Sequence, residues 1–168
     1  MLLKNNRSKT IAFGGLLTAL CVVFIYLSSI IPFNRLLFLC LASFSIILGV
    51  LLVGIKNSIL IYIGSLILSL ILLGIRETTF AYIMFFGPYG IVKNFIEKIE
   101  KLPFEIVLKL IFFNIVLGTS YLAYSQFAPM QLETAAPIYV LLIFSQFLFL
   151  GYDYILTVFI HRARKYKV

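Results

Sequence analysis

Residues 10–31, 36–55 and 58–75 form three apolar runs without a single charged side chain. Each is near the roughly 20 residues that a helix, rising 1.5 Å per residue, needs to cross a hydrocarbon core of about 30 Å. At that depth no water is available to the backbone, so each segment must satisfy its own N–H and C=O groups, and a helix does so. The breaks between the runs are short: Pro32, Asn34 and Arg35 after the first, Lys56 and Asn57 after the second. Such short connections predict tight antiparallel helical hairpins.

The composition agrees. Apolar side chains make up 62% of the 168 residues and charged ones 12%, and the mean hydropathy is +1.11. Soluble domains average roughly 45–50% and about 25%, so this chain lacks the polar surface to cover itself in water. That excludes a soluble globular enzyme, a disordered chain and a soluble nucleic-acid binder. The first run is 22 residues long and stops at Pro32 with no A-x-A site. It therefore reads as a retained transmembrane helix rather than a cleaved leader.

A fourth apolar segment, residues 80–92, is shorter, contains Gly87-Pro88-Tyr89-Gly90, and runs into a charged stretch from Lys93 to Lys101. The segment is either re-entrant or, the favoured reading, a kinked crossing with an amphipathic extension, Phe95, Ile96 and Ile99 facing the membrane surface and lysines snorkelling to headgroups. Pro103 then opens a fifth helix, and a polar stretch, residues 126–137, separates it from a sixth. The predicted helices are residues 10–31, 36–55, 58–75, 79–100, 104–125 and 138–160, in one integral membrane domain spanning 1–168. With a cytoplasmic N-terminus, Lys4, Arg7, Lys9, Lys56, Lys93, Lys98, Lys101, Lys109, Arg162, Arg164, Lys165 and Lys167 all fall inside. That is 12 of the 14 basic residues, with only Arg35 and Arg76 outside. The +8 charge is thus explained by the positive-inside rule, with both termini cytoplasmic and no nucleic-acid partner.

No HExxH, GxSxG or Walker-type loop occurs, and Cys21, Cys40 and the single His161 make no metal-ligand pattern. The expectation is a chain that is not an enzyme and holds no cofactor or metal. Asp153 lies inside the last helix, where burying a carboxylate costs at least about 2.5 kcal/mol. Being two turns from His161 and Arg162, it is expected to contact a lysine, or a basic residue of a partner, near the inner interface rather than do chemistry.

The outer face carries Asn34, Arg35, Arg76 and Glu77, with Tyr26, Tyr82, Tyr121, Tyr124 and Tyr139 at or just below that level. One reading is an interfacial belt with anchoring arginines. The other is an outward-open pocket in which aromatics stack a small ligand and arginine fixes a polar or anionic group. On the latter, Asn34, Arg35, Arg76, Glu77, Tyr82, Tyr121, Tyr124 and Tyr139 are the candidate ligand-binding residues. Helix one carries Ala12, Gly15 and Ala19 on one face, and Gly15-x-x-x-Ala19 permits close approach of another helix, within the chain or outside it.

Six helices in a chain of this size, with a basic N-terminus and a small-residue first helix, resemble the substrate-binding S components of energy-coupling factor transporters. The stretch Phe85-Phe86-Gly87-Pro88-Tyr89-Gly90-Ile91-Val92-Lys93 also resembles one in S-component-like proteins of Gram-positive bacteria. The resemblance implies capture of a vitamin or similar small molecule, or of a metal ion, at the outer face. It also implies a transmembrane T component and two ATPase subunits as partners. Ala12, Gly15 and Ala19 would stand where that family's Ala-x-x-x-Ala face docks onto the T component, although the strict motif and the substrate signatures are absent. The alternative is a membrane scaffold like the cell-shape protein MreD, whose Pro-Asp and Gly-Leu-x-x-Asp motifs are also absent.

Overall fold

A computed structural model describes residues 7–99, 102–127 and 138–165. Every described element is helical. The long ones are α1 (Arg7–Ile30), α2 (Arg35–Leu52), α3 (Ile55–Leu73), α6 (Leu102–Phe127) and α7 (Ile138–Lys165). Between α3 and α6 lies a helical run made of α4 (Glu77–Ala81), a π turn (Tyr82–Phe86), α5 (Gly87–Ile96) and a 3₁₀ turn (Glu97–Ile99). Five helices are long and apolar enough to cross a bilayer: Arg7–Ile30, Pro32–Leu52, Ile55–Leu73, Pro103–Ala123 and Leu142–Ala163. The expected fourth crossing is helical over its described residues, 79–99, but is not among the five. Its longest unbroken α-helical piece has 10 residues, and Pro88, Lys93 and Asn94 dilute its apolar character.

The chain divides into two compact units, Met1–Glu105 and Ile106–Val168. In the first, α1 packs on α2 and α3, and α2 packs on α3 and α5. Proline and glycine set the corners. Ile31 is extended before Pro32, as a residue preceding proline tends to be, and this ends α1. Gly54 turns α2 into α3 with φ +92°, a conformation that only glycine adopts cheaply. Its N–H and that of Val53 both bond Gly49 O, and its own C=O accepts from Ser58 N–H to start α3.

Polarity in this unit is arranged as a bilayer requires. On α3 the buried face reads Ser58, Ile61, Ser65, Ser69, whereas Leu60, Ile63, Ile67, Leu68, Ile71 and Leu72 point outward. Ser43 and Ser45 of α2 and Ser28 of α1 are also buried. Small hydroxyl residues between helices and large aliphatic ones outside suit hydrocarbon, where close backbone packing replaces the hydrophobic effect. In water, so large an apolar surface would drive association.

The run from α4 to the 3₁₀ turn supplies the largest enclosed side chains, with Tyr82, Tyr89 and Lys93 each 0% exposed. Gly90 lets α5 approach α2 closely, since a Cβ there would lie 2.9 Å from Ile47 Cγ1. The π turn has an identifiable cause. Gly87 N–H bonds Tyr82 C=O five residues back. The next donor in that register would be residue 88, facing Ile83 C=O, and proline has no N–H. The phenol of Tyr62 on α3 donates to that carbonyl instead, at 2.9 Å. Gly87 makes room for it, because a Cβ at this position would overlap the Tyr62 ring.

Lys93 departs from expectation. Rather than snorkelling to a headgroup it is enclosed, its Nζ 2.9 Å from Glu97 Oε1 one turn on. Lys98 is exposed and lies over the Phe95 ring, 5.2 Å from its centre.

In the second unit, α6 and α7 meet through paired side chains. Lys109 bonds Asp153 at 2.9 Å, Phe113 stacks on Phe149 with ring centres 4.4 Å apart, and Asn114 Oδ1 accepts from Gln146 at 2.8 Å. The partner number falls as the α6 number rises, so the two helices run antiparallel. Asp153 thus meets a lysine.

Candidate functional site

An open cleft of about 390 Å³ lies within the first unit, at the end where α1 gives way to α2 and α3 to α4. Ser29, Arg35, Ile75, Arg76, Glu77 and Thr78 line it. Each arrives there for a local reason. Ser29 is next to the last residue of α1, and Arg35 is the first residue of α2 after the Pro32–Asn34 3₁₀ turn. Gly74 ends α3 with φ +67°. Arg76 is then extended, and its C=O accepts from Phe80 N–H to begin α4.

The polar contacts are few and exposed. Arg35 Nη1 lies 3.3 Å from Glu77 Oε2, with the two side chains 45% and 68% exposed. Arg76 Nη1 donates to Ser29 Oγ at 3.0 Å. Among the described residues, no carboxylate pairs with Arg76. Thr78 differs from the others: it is 6% exposed, and its hydroxyl has no hydrogen-bond partner. The cleft therefore offers two guanidinium groups, one carboxylate and an unused buried hydroxyl, and its formal charge is +1. Such a set can hold a polar group by charge-assisted hydrogen bonds.

The structure gathers Arg35, Arg76 and Glu77 in this cleft, from positions 42 residues apart in the chain. Asn34 stands immediately before Arg35 but is not part of the lining. Tyr82 does not reach the cleft. It is wholly enclosed and shares a hydrogen bond with Ser65 on α3, because a phenol at helix-packing depth must find an internal partner. Tyr121 is exposed on α6, in the other unit. The side chains of Tyr124 and Tyr139 lie outside the described set. Sequence reasoning missed Ser29 and Thr78. The only signal was that each belongs to a polar pair at a helix boundary, Ser28-Ser29 and Thr78-Thr79.

On α1, Leu17, Cys21, Val22, Ile25 and Ser28 face the core. Ala12, Gly15 and Ala19 lie on the opposite side and are exposed, and a Cβ built on Gly15 would touch nothing within 4 Å. The small-residue face is therefore not used for packing α1 against α2 or α3. Among the described residues, no three His, Cys, Asp or Glu side chains come together as a metal site would need. Neither a protein-family model, nor a curated protein, nor a solved structure matches the chain.

Proposed function

We propose that the chain is a multi-pass membrane protein that captures a small polar molecule from the outer side of the cell membrane. The observation that carries this reading is the cleft between Arg35, Arg76 and Glu77. It is large enough for a small organic ligand, and its mouth stands open. In this reading the run from α4 to the 3₁₀ turn is the fourth of six crossings, both termini are cytoplasmic, and the cleft faces out. The charge distribution supports that orientation, since only two of 14 basic residues then lie on the cleft side.

The protein would work as S components do, with no ATP hydrolysis of its own, docking on a T component that carries two ATPase subunits. The exposed face of Ala12, Gly15 and Ala19 supports a helix-on-helix contact of this kind. Native mass spectrometry of protein purified in mild detergent tests both halves. A co-purifying small molecule that is lost on Arg76→Gln supports capture. Association with an ATPase module that survives Gly15→Leu with Ala19→Leu would refute the docking face. A chain that carries no ligand and holds only other membrane proteins would instead favour the MreD-like scaffold.

A further inference from the structure

The cleft carries more information than the presence of two arginines. Its cations are not equivalent. Arg35 already faces Glu77, whereas Arg76 touches only the neutral hydroxyl of Ser29 among the described residues. Summing the formal charges leaves one uncompensated positive charge, and it belongs to Arg76. The Thr78 hydroxyl is the second, independent sign. Thr78 lines the same cleft, and its hydroxyl is shielded from solvent and has no partner. A buried polar group without a hydrogen bond is costly, and such groups in native structures point to an unseen partner. Thr79, next in the chain, is an instructive contrast: its hydroxyl is also buried and unpartnered, but it does not line the cleft.

From this, and resting on the cleft being a ligand site, we infer that it takes one singly charged oxyanion, a carboxylate or a phosphodiester. Arg76 supplies the counter-charge and Thr78 a hydrogen-bond donor. Arg35 and Glu77 form a neutral clasp at the rim that discriminates by charge. A dianion would have to displace Glu77 from Arg35, and a cation would meet Arg76 unshielded. A neutral amide could bond to Thr78 but would forgo the charge-assisted bond, which is roughly twice as strong as a neutral one.

The test uses full-length protein in nanodiscs and three probes of nearly one shape: propionate, propionamide and propylammonium. Binding is read as a shift in thermal unfolding and by native mass spectrometry. In discs of digalactosyldiacylglycerol, a lipid without phosphate, propionate alone should bind. Arg76→Gln should abolish binding, and Thr78→Val should weaken it about tenfold, the scale of a lost hydrogen bond to a charged group. Thr79→Val should leave it unchanged. Glu77→Gln should raise the cleft charge to +2 and admit succinate, which the native cleft refuses.

Discs containing phosphatidylglycerol separate the two sources of the anion. If that lipid is retained in an Arg76-dependent way while propionate has no effect, the oxyanion is a headgroup. The charge assignment then stands and the capture reading falls. If propionamide binds as well as propionate, the charge assignment is overturned while capture survives. Occupancy by neither carboxylate nor lipid overturns both.

Discussion

The two units of this chain are held together by different means. In Met1–Glu105 the helices meet through glycine and small hydroxyl residues, and the enclosed groups are mostly serine, threonine and aliphatic side chains around Tyr82 and Tyr89. In Ile106–Val168, α6 and α7 are largely exposed and are joined by discrete pairs: Lys109 with Asp153, Phe113 with Phe149, Asn114 with Gln146. Fifteen of the buried hydrophobic residues among those described belong to the first unit and four to the second. The first is thus sensitive to added volume, the second to removed charge.

The largest effect should come from splitting the Lys109–Asp153 pair. Either Lys109→Met or Asp153→Leu alone leaves a nearly buried charge without its partner in α6 or α7, and should cost about 3–5 kcal/mol. The double variant should recover most of that loss, since an apolar pair carries no desolvation penalty. Reversible unfolding in mixed micelles measures all three. A double variant as unstable as the singles would show that the pair is not what joins these helices.

Adding volume should separate the units next. Gly87→Ala pushes a methyl into the Tyr62 ring and should destabilise by about 1–3 kcal/mol. Gly118→Ala and Gly151→Ala on α6 and α7 meet open space and should be neutral, or stabilising by up to about 1 kcal/mol through helix propensity. In a Cys40→Ser background, maleimide labelling of Cys21, which is buried in the first unit, reports whether that unit has loosened. Equal losses at all three glycines would erase the distinction.

Tyr62→Phe is a finer probe. It removes the donor to Ile83 C=O and should cost about 1–3 kcal/mol. Adding Pro88→Ala should return part of this, because residue 88 regains its N–H and the π turn can relax toward α-helix. The smallest effect belongs to the rim. Arg35→Gln or Glu77→Gln should change stability by less than about 1 kcal/mol, as expected for an exposed pair. Any larger loss would mean the clasp is structural rather than a ligand device.

Much of this architecture was legible in the chain. Charge-free runs located α1, α2 and α3 to within a few residues, because length and hydropathy alone decide which segments a bilayer accepts. Pro32 marked a corner for the same local reason it breaks any helix. Arg35, Arg76 and Glu77 stood out as charges that the expected cytoplasmic loops leave out, and they share one cleft. Tyr82 was misleading. Its position suggested an interface, yet it is enclosed and bonded to Ser65 on α3, and a neighbour 17 residues away leaves no mark on hydropathy. Thr78 was invisible for the converse reason, since a threonine at a helix start reads as an ordinary boundary residue.

By itself the sequence determined that this chain is helical, that its apolar segments suit a membrane, and how its basic residues are distributed. Those are properties of single segments facing one solvent. Only the tertiary structure decided which side of each helix is enclosed, why α3 turns serines inward, and how Tyr62 stands in for the N–H that Pro88 lacks. It also decided that Thr78 lines one cleft with Arg76 while its hydroxyl stays unpaired. These depend on which surfaces meet across tens of residues, and a bilayer-spanning helix, apolar on nearly every side, carries little periodicity to announce them.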